Sequence, residues 1–239
     1  MRTEALIIKT QPTNEYDVLV TCYTPEWGKL TAVAKSALKH GSMQGMHLAT
    51  LSLVDFELIE GHSLPIIAAA QNQQGYPNIK QSLERVTMAQ FFLETVEKMV
   101  FDRQRDTHLW KFLTTTMDEL NGTGGSWPWF RARQIAMLDV LGYAPQLDRC
   151  VRCDAAQSPA GWALSVELGG LVCSRCFIAG TKAVLLSHHE TGLLQGQEKT
   201  TIPSTRSAVD TLFEYHAGSS FTSLQMLYAL PLAPSPVIQ

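Results

Sequence analysis

From residue 4 to about residue 78, apolar side chains come in short runs separated by turn signals. The runs 4–10, 16–23, 30–34, 51–59 and 65–70 are rich in β-branched or aromatic residues, and such runs read as strands. Pro12-Thr13-Asn14, Pro25-Glu26-Trp27-Gly28 and Glu60-Gly61-His62 break them. Five strands in under eighty residues, with no helical stretch long enough for a βαβ crossover, predict a small closed barrel. An OB-fold is the expected version.

The period changes near residue 80. Val86, Ala89, Leu93, Val96 and Val100 recur at three- and four-residue steps, with Met88, Phe92 and Met99 as a second apolar line. A helix apolar around so much of its circumference is buried on more than one side. Leu109, Phe112, Leu113, Met117 and Leu120 predict a second helix, ended by Asn121-Gly122-Thr123-Gly124-Gly125. Ser126 is placed to cap a third, with Pro128 in its first turn, Ile135, Leu138 and Leu141 inward and Gly142 as its stop. Two short helices are expected over 204–216 and 221–230, then a loose tail over 231–239.

Between the third helix and these lies a doubled cysteine spacing. Cys150-x2-Cys153 and Cys173-x2-Cys176 are separated by nineteen residues ending Gly169-Gly170-Leu171-Val172. Each short turn can present two sulfurs to one metal, and the intervening residues have room for a hairpin that closes a four-thiolate cage. Two disulfides would need an oxidising compartment, and four unrelated thiols would leave the doubled spacing to chance. The reading is one structural zinc ion. A cage with every position filled by protein has no open site to activate water, so the metal does not make the chain an enzyme. Cys22, in an apolar strand, is expected as a buried core thiol.

Composition narrows the function classes. The amino terminus lacks the basic and apolar blocks of a signal peptide, and no segment approaches the roughly eighteen apolar residues of a membrane span, so a cytoplasmic location is expected. The net charge of −3 exerts no general pull on nucleic acid. His188-His189-Glu190 is not a zinc-protease motif, because Leu193 stands where the second histidine would be. There is no Gly-x4-Gly-Lys-Ser/Thr phosphate loop and no Gly-x-Ser-x-Gly elbow, which leaves neither ATP hydrolysis nor acyl transfer a foothold. Two classes survive: a non-catalytic DNA-binding mediator, and a zinc-containing protein adaptor without direct DNA binding.

Glu15-Tyr16-Asp17-Val18-Leu19, Thr24-x3-Gly28-Lys29-Leu30, Ala34-Lys35, Leu141-Gly142-Tyr143-Ala144-Pro145 and the cysteine pairs with Gly169-Gly170-Leu171-Val172-Cys173, in that order, resemble the RecO family of recombination and repair proteins. The resemblance covers most of residues 1–180 and weakens after 185. It implies an α+β multidomain chain: an OB-fold over 1–79, a helical domain over 80–148 and 183–239, and an inserted four-cysteine zinc finger over 149–182. It also implies a bacterial protein of the cytoplasm, at the nucleoid when active. Such a protein binds single- and double-stranded DNA, anneals complementary strands, and with RecR helps load RecA onto DNA coated by single-strand-binding protein (SSB), whose acidic tail it contacts. No membrane and no small-molecule substrate are implied.

On that reading Lys29, Lys35 and Lys39 are the phosphate contacts and Tyr23 and Trp27 the base-stacking rings, since an OB-fold pairs a positive groove with aromatics. Arg131 and Arg133, on the helix before the cysteines, would receive the SSB tail, because an arginine fork binds carboxylates bidentately. Two departures stand out. Where the family clusters Arg and Lys after Ala34-Lys35, this chain reads Ser36-Ala37-Leu38-Lys39-His40-Gly41-Ser42. Near the carboxyl end the family's Leu-Lys-Ser-Arg appears as Phe221-Thr222-Ser223-Leu224. Residues 1–79 carry five basic against seven acidic side chains.

Overall fold

The five predicted strands form, and they close. In this computed structural model, which describes residues 1–42, 44–178, 182–195 and 206–230, β1 (Arg2–Pro12), β2 (Val18–Thr24), β3 (Gly28–Ala34), β4 (Leu53–Ile59) and β5 (Ile66–Gln74) make a barrel in the order β1-β2-β3-β5-β4. β1 is long enough to serve two neighbours. Its first half pairs with β4 (Arg2↔Glu57 to Leu6↔Leu53), its second with β2 (Leu6↔Tyr23 to Pro12↔Val18), with a register shift between Ile7 and Lys9. Closure rests on a short parallel contact of β3 with β5, Val33↔Ile66 and Ala34↔Ile67. Strict alternation along β3 sends Leu30, Ala32 and Ala34 inward and leaves Lys29, Thr31 and Val33 half-exposed. Ile7, Val20, Cys22, Val54, Phe56 and Ile67 fill the interior. Burial pushes the Cys22 thiol up to about 12, as a core thiol requires.

Three helices follow: α1 (Pro77–Lys80), α2 (Leu83–Met99), capped by Ser82, and α3 (Thr107–Asn121), capped by Asp106. α2 is buried at Met88, Ala89, Phe91, Phe92, Leu93 and Val96, so it has neighbours on more than one side, as its apolar circumference predicts. These helices group with the barrel in one compact unit, Met1–Thr123. Lys9 Nζ lies 2.7 Å from the Glu97 carboxylate of α2, and Phe92 meets Phe112 edge to face.

The tightest junction in this unit is between the β2–β3 turn and the loop that joins α2 to α3. Gly28 has φ +67, and a Cβ there would lie 2.0 Å from the Gln104 carbonyl oxygen. Arg103 N donates to Lys29 O at 2.8 Å. The buried Tyr23 hydroxyl sits 3.2 Å from Asp106 O and accepts from Asp106 N at 3.2 Å, while its ring stacks on Trp110.

The second unit begins at Gly124. It contains α4 (Trp127–Val140), β6 (Trp162–Ser165), β7 (Gly170–Cys173), β8 (Ala183–Leu185), α5 (His188–Leu194), α6 (Ala208–Ala217) and α7 (Thr222–Ala229). Ser126 caps α4, with Pro128 in its first turn, as expected. β6 pairs with β7 and β8 in one small antiparallel sheet, so that β8 adds a third strand to the expected hairpin. His188-His189-Glu190 opens α5, where Ser187 and Glu190 cap each other. The start of the 204–216 helix and the tail at 231–239 lie outside the described residues. Among the described residues, no helix is long and apolar enough to cross a membrane.

Two tests follow from the first unit. Gly28→Ala introduces both a left-handed non-glycine and a clash with backbone, and it should destabilise the protein by about 1–3 kcal/mol in urea unfolding. Asp17 accepts from Ser36 N, Lys35 Nζ and Asn14 Nδ2 at 2.8, 2.9 and 3.0 Å, and these bonds, the Ser36 amide first, hold its carboxyl down at about 2. Its folded pKa lies below the unfolded one. Its stabilisation is therefore complete above the ordinary value near 4 and lost as the pH falls toward 2. The stability gap between wild type and Asp17→Asn should shrink over that window, as read by denaturant unfolding at successive pH values.

Candidate functional site

Four sulfurs meet in the second unit. The Sγ atoms of Cys150, Cys153, Cys173 and Cys176 all lie within 4.8 Å of one another, and Cys153 and Cys173 are 3.7 Å apart. A tetrahedron with metal–sulfur bonds of about 2.3 Å has edges of about 3.8 Å, so the cluster matches a four-thiolate cage with little adjustment.

The backbone explains how the pairs converge. β6 and β7 form a hairpin in the register Trp162↔Cys173 to Ser165↔Gly170, turned at Gly169, whose φ is +65. The segment before the first pair runs alongside β7: Gln146 N donates to Gly169 O at 2.8 Å, Leu171 N to Gln146 O at 2.9 Å, and Val151 N to Leu171 O at 2.8 Å. Gly170 makes this approach possible, since a Cβ there would lie 2.6 Å from both Gln146 O and Val151 Cγ1. Each pair then sits in a tight turn, closed by Asp154 N to Cys150 O at 2.9 Å and Cys176 N to Cys173 O at 3.0 Å. The Gly-Gly-Leu-Val-Cys run is thus the surface on which the first cysteine pair is delivered to the second.

The electrostatics favour a dication. Burial works to raise the Cys150 thiol, but the backbone N–H groups of Cys173, Arg152 and Cys153 overcome it and pull it down to about 6. Cys176, sharing hydrogen bonds with the sulfurs of Cys153 and Cys173, is pushed up to about 12. One thiolate forms readily and the last only against its neighbours, a conflict that a bound cation relieves. Cys150 and Cys173 are buried, and Cys153 is exposed.

The residues expected to contact DNA divide into two groups. Tyr23 is not a stacking platform: it is fully buried, and its ring and hydroxyl are engaged by Trp110 and Asp106. Trp27 packs against the barrel core. The Lys29 side chain is only 12% exposed, and its ammonium donates to Glu97 O at 3.0 Å and lies 3.4 Å from Asp102. Tyr23 and Lys29 hold the barrel to its own helices and loop. Lys35 and Lys39 are different. The Lys35 side chain is 59% exposed although it pairs with Asp17, and Lys39 lies exposed with its ammonium 5.2 Å from the Tyr16 ring centroid. Tyr16, itself exposed, is the aromatic beside the lysines. Asp17 and the bond from Leu38 N to Tyr16 O at 2.9 Å tie its turn to the loop after β3.

Arg131 also departs from expectation. It is not on an open helix face but buried, donating to Asp210 Oδ1 at 2.7 Å, Gln134 Oε1 at 2.6 Å and the Tyr228 hydroxyl at 2.7 Å. Asp210 is fully buried and also caps α6 by accepting from Ser207 N at 2.9 Å. The guanidinium lies 5.6 and 5.9 Å from the ring centroids of Trp127 and Tyr228, which stack on each other. Arg133, two residues on, is half-exposed. The inward face of α4 carries Arg131 and Gln134, so no apolar period could reveal it.

Comparison with known proteins divides the chain after the barrel rather than after α3. The family model described as Recombination protein O N terminal matches residues 1–76, and that described as Recombination protein O C terminal matches 80–223. The chain is similar to the DNA repair protein RecO of Roseiflexus sp. (strain RS-1), 31% identical over 175 residues, which are 73% of this chain and 62% of the relative. That match therefore spans less than two thirds of the relative's length. Its similarity to the DNA repair protein RecO of Exiguobacterium sp. (strain ATCC BAA-1283 / AT1b) is 28% identity over 208 residues, 86% of this chain and 81% of the relative. With two family models covering the barrel and most of the remainder, the chain belongs to the RecO family of DNA repair proteins.

Proposed function

We propose that this chain is a non-catalytic recombination mediator that binds single- and double-stranded DNA, anneals complementary strands, and with RecR helps load RecA on SSB-coated DNA. The observation that carries the DNA contact is the cluster of Lys35, Lys39 and Tyr16 at one end of β3, two exposed ammonium groups beside an exposed ring. Phosphates pair with such cations and an unstacked base lies on such a ring. The DNA-binding module is residues 1–79, within the helical parts 80–148 and 183–239 sits the cysteine module 149–182, and the protein works in the cytoplasm. The acidic tail of SSB meets the second unit at Arg133, with Arg131 withdrawn from that role by its burial.

The metal is one zinc ion held by Cys150, Cys153, Cys173 and Cys176. A closed four-thiolate site supplies cross-linking and no reactive position. Its work is to fix the turn of each cysteine pair and the segment 146–151 against β7. An adaptor without DNA contact is the second reading, favoured by the excess of acidic over basic side chains in residues 1–79.

Fluorescence anisotropy of labelled single-stranded DNA across a salt series separates the two. A mediator shows a negative log–log slope; reversing Lys35 and Lys39 to Glu should flatten that slope by about 1.4, at about 0.7 per phosphate contact on a single strand. No binding at any salt would support the adaptor. For the metal, protein purified without chelator should hold about one zinc per chain, and Cys173→Ser should bring this below about a tenth and lower the Tm by about 5 °C or more. Zinc below a tenth of an equivalent in wild type, with free thiols intact by titration, would remove the assignment.

A further inference from the structure

The loop joining α2 to α3, residues 100–106, is held on the barrel yet exposes every residue from Phe101 to Arg105. Its anchors are internal: the Tyr23 hydroxyl on Asp106, Arg103 N on Lys29 O, and the close passage of Gln104 past Gly28. Both of its carboxylates are engaged by the protein. Asp102 lies 3.4 Å from Lys29 Nζ, and Asp106 accepts from His108 N and Leu109 N at the start of α3. Its two cations are not so engaged. Arg103 and Arg105 are exposed, and among the described residues neither has a carboxylate within ion-pair distance.

Phe101 precedes them with 78% of its surface exposed, more than any other large apolar residue described. An apolar ring so open on a pinned loop contributes nothing to the core. Arg103 has φ +58, a conformation that costs a non-glycine residue about 1 kcal/mol or more and persists only when its surroundings impose it. The surroundings here are the Lys29 carbonyl and the Gly28 gap. The fold therefore places an exposed ring and two arginines at residues 101, 103 and 105, with the exposed Asp102 between them paired to Lys29.

We infer that this loop is a second contact for single-stranded DNA, at the opposite end of β3 from Lys35, Lys39 and Tyr16. It rests on the DNA-binding reading proposed above. Arg103 and Arg105 pair with phosphates through their forked donors, and Phe101 stacks on an unpaired base. The seven residues of β3 separate the two contacts by about 20 Å at about 3.3 Å per residue. That span fits one strand of a few nucleotides, within the about 4–16 nucleotides that an OB-fold covers. The arginines make up on this side for the basic residues that are missing after Lys35.

The experiment compares four proteins, wild type, R103E/R105E, F101A and K35E/K39E, by anisotropy on labelled oligo-dT and on a labelled duplex over a salt series. Unchanged thermal melts confirm that the exposed substitutions leave the fold intact, and R105E alone, away from the left-handed position, repeats the charge test. R103E/R105E should weaken oligo-dT binding at least about tenfold and flatten the salt slope by about 1.4. F101A should weaken oligo-dT binding about tenfold with the slope unchanged, and should leave duplex binding as in wild type, because paired bases offer no free face. If R103E/R105E and F101A bind oligo-dT like wild type while K35E/K39E does not, the loop is not a contact and the DNA reading stands. Absence of salt-dependent binding by wild type itself would overturn both.

Discussion

The amino-terminal unit depends on a missing methyl group. At Gly28 the β2–β3 turn and the α2–α3 loop approach so closely that a Cβ would lie 2.0 Å from a carbonyl oxygen. Once this contact is made, the neighbouring side chains have fixed duties: Tyr23 reaches the loop backbone at Asp106, and Lys29 lies along α2 and Asp102. A single hydrogen bond of this kind contributes only about 1 kcal/mol net. The strength of the junction is that four independent contacts agree on one geometry. It also explains why α1 to α3 group with the barrel, although their periodicity alone assigns them to a separate helical layer.

How much could be read from the chain depends on whether a signal is local. The barrel strands announce themselves because period-two alternation and turn residues act within a few positions. The cage does so because two Cys-x2-Cys pairs define ligand type and spacing together. The roles of Tyr23 and Lys29 are hidden from the sequence for a different reason. An aromatic and a cation on an OB-fold strand have the right chemistry for nucleic acid, but their partners, Trp110, Asp106, Glu97 and Asp102, lie about seventy to ninety residues away in sequence. Nothing near residue 29 announces them. Arg131 is the same case, with its carboxylate at Asp210. Tyr16 belongs to the Glu15–Leu19 motif, yet its place beside Lys39 follows from Asp17 joining two turns.

Asp17 and Asp210 show two uses of a carboxylate. Asp17 gathers backbone and side-chain donors at the rim of the barrel and fixes the shape of adjoining loops. Asp210 is fully enclosed and binds one arginine, one glutamine, one tyrosine and the start of a helix. Enclosing a charge pair gains little over an apolar core of equal volume, whereas removing one partner typically costs about 3–5 kcal/mol. The Arg131–Asp210 pair therefore acts mainly on which arrangement of α4, α6 and α7 is allowed.

The delivery of the first cysteine pair along β7 has a consequence for chain length. Because Gln146 and Val151 are hydrogen-bonded to Gly169 and Leu171, the position of Cys150 and Cys153 is set from the β7 side, by the strand that leads into the second pair. Between Cys153 and β6, Ala155 O accepts from Cys150 N and Ser158 Oγ from Ser174 N, and the residues between these two contacts only have to return the chain to the hairpin. Closure entropy rises slowly with loop size, about 0.6 kcal/mol for each doubling, so insertions there are nearly neutral. A single residue added between Gly169 and Cys173 would instead shift the register of both pairs at once. Length variation among relatives should therefore accumulate on one side of the cage and be excluded from the other.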